Sequence, residues 1–392
     1  MSKTRTCLFV VLLLTFCLLF SSNIVVAETV TIWDKAYAMY GSGHQIIQTS
    51  DGGYAIAGKT DGQCLLLKVD SSGRRQWSQT YGNGCFNSLT QTADGGYALA
   101  GSGDNNFVRT DSDGNMMWSK NYTNSSVPFH ANSVIQTSDG GYALAGWTSN
   151  YSNSLEWDWT IKTDSYGDII WTKTFGTSRG NSLAQEILQD TDGGYVLAAN
   201  HNVSKLDSEG NLQWTTSAVI VTSLIKTADD GYLLAAGNGG GLIKFDEEGN
   251  KEWSNVYRFE GARWSFLHSV SQTGDGGYVL AGDTYPVYDG LGWVVKIAEN
   301  GTVEGEVSFP PESGINNSIL SIIEADDGNY VFTGYKNAPD RTGVVWVAKV
   351  APSTVIPEFP QLVPLLSMLV VVIVVAVIYR RNLSKSSQGR WK

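Results

Sequence analysis

The sequence predicts an all-β fold: a seven-bladed β-propeller of four-stranded antiparallel blades, closed by its N-terminal strand and followed by one C-terminal transmembrane helix. Three observations predict the propeller. The phrase QTSDGGYALAG at 136–146 recurs as QTSDGGYAIAG from 48, QTADGGYALAG from 91 and QTGDGGYVLAG from 272. Its tyrosine returns at Tyr54, Tyr97, Tyr142, Tyr195, Tyr232, Tyr278 and Tyr330, in steps of 43, 45, 53, 37, 46 and 52 residues. A period in the forties belongs to propellers, solenoids and arrays. Each unit also holds short strand-like runs between Asp/Gly turns, with no helical periodicity.

The second unit shows the order of elements. SLTQT is a strand, ADGG is a turn in which Asp and Gly supply the bend, and YALAG is the next strand. Alternation puts Tyr97 and Leu99 on one face, and Ala98 and Ala100 on the other. NNFVRT is a third strand, DSDG a second turn, and NMMWSKNY a fourth strand with Trp118, Lys120 and Tyr122 on one face. Such sheets of four, repeated radially, are propeller blades. The small residues of ALAG leave a shallow face on which a neighbour's bulky side chains can pack.

The fourth-strand tryptophan recurs at Trp77, Trp118, Trp171, Trp214 and Trp253, but Gly305 stands there in the sixth unit. The seventh unit stops after three strands. VTIWDKAY at 30–37 precedes the first unit, with Trp33, Lys35 and Tyr37 spaced as Trp171, Lys173 and Phe175. This strand is therefore expected to pair antiparallel near 344–350 and complete the last blade.

The ends carry addresses. Residues 1–27 join Lys3 and Arg5 to an apolar run and a small-residue VVA, the parts of a secretory signal peptide; an uncleaved anchor is the alternative. Residues 28–351 form the propeller, 352–361 a Pro-rich stalk, 362–379 an uncharged segment long enough to span a bilayer, and 380–392 a tail with Arg380, Arg381, Lys385, Arg390 and Lys392. Basic flanks stay cytoplasmic, so the large middle is expected outside the cell, anchored to the membrane by one helix. The net charge is −11, and seven basic residues lie in the signal and tail, which leaves −18 on 28–379. Such a surface excludes nucleic acid as a partner.

Five hairpins, VDSSGRRQW, TDSDGNMMW, TDSYGDIIW, LDSEGNLQW and FDEEGNKEW, resemble the aspartate–glycine–tryptophan hairpin of quinoprotein-like propellers. The resemblance covers five of the seven units, and the turn is one residue shorter than the family's usual pattern. It implies that each tryptophan docks one blade on the next. The DGGY repeats resemble surface propellers of archaea and bacteria. The end, VIPEFPQLVP with an apolar helix and Arg380–Arg381, is similar to the PEF-type C-terminal sorting signal of methanogenic archaea. That resemblance implies cleavage near 357–360 and replacement of the helix by a lipid; a permanent anchor is the alternative. Cofactor-binding quinoproteins carry adjacent cysteines, which this chain lacks, so no cofactor is expected.

No catalytic motif stands out. The histidines His44, His130, His201 and His268 have no metal-ligand spacing. His44 and His268 share one position, ten residues before the tyrosine, where the other units place Asn87, Asn132, Gln185, Thr222 and Leu320. That ring is expected at one mouth of the channel, as a ligand site or as solvated loop ends. Six before each tyrosine stand Gln48, Gln91, Gln136, Gln189, Lys226, Gln272 and Glu324, read as satisfying backbone groups between blades or as lining the channel. Asp111 to Asn115 reads as a hairpin turn rather than a calcium loop.

The insertions at 147–159 and 283–293 are expected on one face, with Trp147, Trp157, Asp158, Tyr288 and Asp289 as ligand contacts; Glu156 is a further carboxylate there. Cys64 and Cys85 are expected to form a disulfide. Asn121, Asn124, Asn150, Asn202, Asn300 and Asn316 head Asn-X-Ser/Thr acceptor sites for glycans. The expected function is a cell-surface recognition or adhesion module for an envelope component, glycan or protein. The alternatives are a secreted hydrolase or lyase with carboxylates at the propeller mouth, or a purely structural envelope protein.

Overall fold

A computed structural model describes residues 31–352 except 125–126, 151–154, 179–183, 200–201, 219, 238, 260, 286–289, 311–315 and 338–342. The signal, stalk, membrane segment and tail lie outside the described residues. Among the described residues no helix is long and apolar enough to cross a membrane.

The chain is all-β and repeats a four-stranded antiparallel sheet. Every recurrent tyrosine opens the second strand of such a unit, from Tyr54–Thr60 to Tyr330–Asn337. Two strands run on from one unit into the next. Arg75–Gln91 pairs first with Gln63–Val69 and then with Tyr97–Gly103. Thr31–Gln48 pairs first with Gly343–Val350, with Trp33 opposite Lys349 and Tyr40 opposite Val344, and then with Tyr54–Thr60.

The repeated phrase is a set of contacts, some to the neighbouring unit and some that hold its own turn. Its glutamine accepts a backbone N–H from the preceding unit: Gln91 from Ser50 at 2.8 Å, Gln136 from Ala93 at 2.9 Å, Gln189 from Ser138 at 2.8 Å, Gln272 from Ala228 at 3.0 Å and Gln48 from Asp326 at 2.8 Å. Glu324 takes the N–H of Gly274 at 2.6 Å. These side chains therefore join units rather than line the channel. The threonine hydroxyl donates to the turn aspartate, as Thr49 does to Asp51 at 2.5 Å. The same Asp51 caps the turn through Gly53 N–H at 3.0 Å and holds Lys68 Nζ at 2.8 Å. The second glycine is required because a Cβ on Gly53 would stand 2.4 Å from Val69 O and 2.6 Å from Lys68 Nζ.

Lys68 belongs to a recurrent set. Lys68, Arg109, Lys162, Lys205, Lys244, Lys296 and Lys349 lie in the third strands, all buried, each paired with a turn aspartate. A cation out of water is tolerated only with such a partner. The tyrosine completes the group across the seam: Lys349 Nζ donates to Tyr54 OH at 3.0 Å, and Arg109 Nε to Tyr142 OH at 2.9 Å.

Tryptophan docking takes a definite form. A Cβ on Gly114 would lie 2.7 Å from the Trp77 ring, on Gly167 2.9 Å from Trp118, on Gly210 2.9 Å from Trp171 and on Gly249 2.8 Å from Trp214. Each ring thus rests on the D-x-x-G turn of the next unit, where glycine's positive φ and missing side chain make room. Trp33 rests in the same way on Gly73, at 2.8 Å, and donates Nε1–H to Ser71 O at 3.1 Å. Gly305 replaces tryptophan in the sixth unit for a readable reason. The seventh unit's third strand ends at Val350 and its partner begins at Thr31, so no D-x-x-G turn is there to receive a ring.

The cysteines are a correction. Cys64 and Cys85 are free thiols. Cys64 Sγ faces Ser102 O at 3.7 Å, and Cys85 Sγ lies 3.3 Å from Ser102 Oγ and 3.5 Å from Asn87 Oδ1. Cys85 was expected at the end of the first unit. Instead the strand Arg75–Gln91 runs on past Gly82 and Gly84, both at positive φ, and Cys85 pairs with Ser102 in the second unit. The Asp111 turn is a hairpin turn: its carboxylate accepts Asp113 and Asn115 N–H at 3.0 and 2.7 Å.

Candidate functional site

The first strands of the units line one channel of about 450 Å³. Their side chains should alternate between channel and core, so only every second residue should face inward. A recurrent bulge overrides this. The register of the first and second strands slips between Gly43 and Gln45, Phe86 and Ser88, Ala184 and Glu186, Val221 and Ser223, Leu267 and Ser269, and Ile319 and Ser321. Ser133 and Ala131 show the same slip. The skipped residue is the one ten before the tyrosine. A bulge turns that side chain to the same side as its successor. Adjacent pairs such as His44–Gln45, Asn87–Ser88, Asn132–Ser133, Thr222–Ser223 and His268–Ser269 therefore all line the channel.

The last glycine of the phrase serves this bulge. A Cβ on Gly58 would lie 2.0 Å from Ser42 O, on Gly146 2.0 Å from His130 O and on Gly282 1.8 Å from Phe266 O. The second member of each pair binds the next unit's first strand. Ser88 Oγ accepts Val134 N–H at 3.1 Å, Ser133 accepts Ile187 at 3.3 Å, Ser223 accepts Val270 at 3.4 Å, Ser269 accepts Ile322 at 3.1 Å and Ser321 accepts Ile46 at 3.3 Å. Gln45 accepts Leu89 N–H at 2.6 Å, and Glu186 accepts Leu224 N–H.

His44 and His268 are brought into the one channel, as the sequence expects. His44 is held neutral: Nδ1 donates to Phe86 O at 2.9 Å, Nε2 accepts the Ser42 hydroxyl at 2.8 Å, and burial lowers its pKa. His268 Nε2 meets buried Asp283 at 2.5 Å, and Asp283 also accepts the Ser318 hydroxyl at 2.5 Å.

Glu186 is the acidic side chain of the lining, and the sequence reading did not single it out. Burial pushes its carboxyl up to about 7 from the ordinary 4.5. Between those values the native state holds a proton that the unfolded chain has released. Its contribution to stability is therefore complete below about pH 4.5 and is lost as pH rises to about 7, on the order of 3 kcal/mol at most. Glu186→Gln is expected to flatten the pH dependence of the urea midpoint across that window; equal slopes in both proteins would contradict this.

The insertion at 147–159 is a hairpin arm, not a loop: Tyr142–Asn150 stays paired with Leu155–Thr163 out to Asn150 and Leu155. Thr148 stands opposite Trp157, and Trp147 opposite Asp158. Trp147 and Trp157 thus project from opposite faces and do not form one platform. Trp147 stacks on His130 at 4.2 Å, and Asp158 is buried rather than presented to solvent. Tyr288 and Asp289 lie outside the described residues.

Of the acceptor asparagines, Asn121, Asn202 and Asn300 are exposed, while half-buried Asn316 accepts Gly290 N–H at 2.6 Å. Asn124 lies in the strand Thr123–Asn124, and Asn150 ends the strand Tyr142–Asn150.

No family model matches the chain, and no curated protein matches it. Solved structures do. The WD40 domain of Pan2 from Neurospora crassa is similar with a TM-score of 0.58 and 13% identity, over 82% of this chain and 95% of that one. Streptogramin B lyase is similar with a TM-score of 0.57 and 12% identity, over 81% and 97%. A catalytically inactive histidine-to-alanine variant of virginiamycin B lyase from Staphylococcus aureus, with quinupristin, gives 0.57 and 12%, over 81% and 98%. These likenesses establish a propeller-like fold, one that serves a WD40 domain and lyases alike.

Proposed function

We propose that the chain is a closed seven-bladed propeller, displayed at the cell surface on its C-terminal segment, that recognises an envelope component, glycan or protein at the channel mouth. One observation carries the reading. The bulge is repeated in unit after unit and adds a polar side chain to the channel in five of them, His44, Asn87, Asn132, Thr222 and His268. The closed count is supported by two circuits of inter-unit contacts, the glutamine series and the serine series, each of which passes from the seventh unit back to the first.

The test is binding of the detergent-solubilised full chain to arrays of glycans and envelope fractions. His44→Ala with His268→Ala is expected to weaken binding at least about tenfold. Alanine at Trp147, Trp157 and Tyr288 together reports on the rim, and Asp113→Ala, on a distant turn, should change nothing. Wild-type binding by the histidine pair would place the site elsewhere.

Enzymatic action is a second reading, favoured by His268. Its carboxylate partner Asp283 orients the ring, as a positioned general base requires. The carboxylates of this reading are Asp283 and Glu186 rather than Glu156, Asp158 and Asp289. Turnover of any bound ligand that disappears in His268→Ala would establish it.

A further inference from the structure

Nine residues before the tyrosine stand Gln45, Ser88, Ser133, Glu186, Ser223, Ser269 and Ser321, and each accepts an N–H from the following unit. A neutral oxygen suffices for that bond, as serine and Gln45 demonstrate. A carboxylate at Glu186 is a departure that the architecture does not require. One oxygen, Oε2, is used by Leu224 N–H. The carboxyl also meets the Ser223 hydroxyl, so its partners are neutral, and no lysine or arginine lines the channel. The neighbouring strands face it with Asn132 and Ser133 on one side and Thr222 and Ser223 on the other; His44 and His268 are the remaining titratable groups of the lining. A half-buried carboxylate with only neutral partners, facing the channel, is an anchor for a positive group supplied from outside.

The rest of the lining specifies what carries that group. Ser88, Ser133, Ser269 and Ser321 accept backbone N–H bonds, which leaves each hydroxyl hydrogen to donate. Asparagine, threonine and histidine add both donors and acceptors, and Ile47, Ile225 and Ile323 give apolar wall further along. An apolar amine would bury these polar groups unpaired. About 450 Å³ is space for a small ligand of one or two rings. We propose that the channel binds an amino sugar, with its ammonium against Glu186, its hydroxyls against the serine and asparagine ring and its C–H faces against the isoleucines. This deepens the recognition reading and rests on it.

The test is calorimetric titration of the full chain in detergent, at about pH 7.5, with a 2-amino-2-deoxyhexose disaccharide, its N-acetylated form and the parent hexose disaccharide. The amine form is expected to bind about tenfold more tightly than either of the others. Glu186→Gln, which keeps the N–H acceptor as Gln45 does, is expected to abolish that preference and leave the parent sugar unaffected. In the unmutated chain the preference is expected to fade as pH falls below about 6, where the carboxyl is protonated. Equal binding of the three sugars, or a preference that survives Glu186→Gln or acid, overturns the proposal. Absence of binding by all three also overturns it, while array binding lost in the histidine pair would still uphold recognition at the mouth.

Discussion

A chain lacking residues 28–38 is expected to lose most of its stability and to aggregate, whereas a deletion of equal length from the basic tail changes neither property. The segment supplies the partner of Gly343–Val350, and without it that strand presents an unpaired row of backbone donors and acceptors. The loss extends beyond backbone pairing. Asp34 accepts Trp346 Nε1–H at 3.0 Å and Lys336 Nζ at 2.6 Å, and the Tyr37 hydroxyl donates to Gly73 O at 2.8 Å. Trp33 lies against Gly73 on one side and 6.1 Å from the Tyr54 ring on the other. Trp33→Ala alone should cost about 3 kcal/mol, reduced from a full burial value because the ring is partly exposed. Urea unfolding and size-exclusion chromatography check both variants; a deletion mutant that stays monomeric with an unchanged midpoint would refute the role assigned to this strand.

Asp190→Ala is expected to weaken the seam between the fourth and fifth units. At the other seams a glutamine or glutamate accepts an N–H and a threonine or alanine precedes the turn. At the seam between the fourth and fifth units the glutamine is replaced by Lys226, which cannot accept, and the threonine by Asp190. The aspartate, nearly buried, binds both Lys205 and Lys226 and takes the Tyr232 hydroxyl. Removing it leaves Lys205 to Asp192 and Lys226 to the exposed Asp230 and takes the acceptor from the buried Tyr232 hydroxyl, for a loss of about 1–3 kcal/mol. The informative variant is the double one. Asp190→Thr with Lys226→Gln restores the pattern of the other seams and leaves Asp192 on Lys205, so it should recover most of the stability in thermal unfolding. A double mutant as weak as Asp190→Ala would show that the two substitutions do not compensate each other.

The sequence made the strands and turns legible because Tyr, Gly and Asp sit at fixed distances within the phrase. It hid the buried cations. Lys68 follows its tyrosine by 14 residues, Arg109 by 12 and Lys162 by 20, because the second-to-third connections differ in length. The constant spacing is instead to the next turn, as in Lys68-Val69-Asp70 and Lys162-Thr163-Asp164, and that signal was available. The bulge was hidden for a different reason. Strict alternation assigns His268 and Ser269 to opposite faces, and nothing in composition marks a skipped residue, so the ring nine before the tyrosine, and Glu186 with it, went unnoticed. The arm at 147–159 was hidden because strand pairing continues through residues whose polar composition reads as a loop.

The claim on which the rest depends is that the first and last parts of the domain share one sheet. Tyr40 and Val344 are exposed or half-exposed partners across that junction. In a background where Cys64 and Cys85 are serine, Tyr40→Cys with Val344→Cys should form an intramolecular disulfide on mild oxidation. Mass spectrometry would then join the peptide containing residue 40 to the one containing residue 344 in monomeric protein. Only intermolecular links, or no link while the folded fraction is unchanged, would contradict closure of the ring by its N-terminal strand.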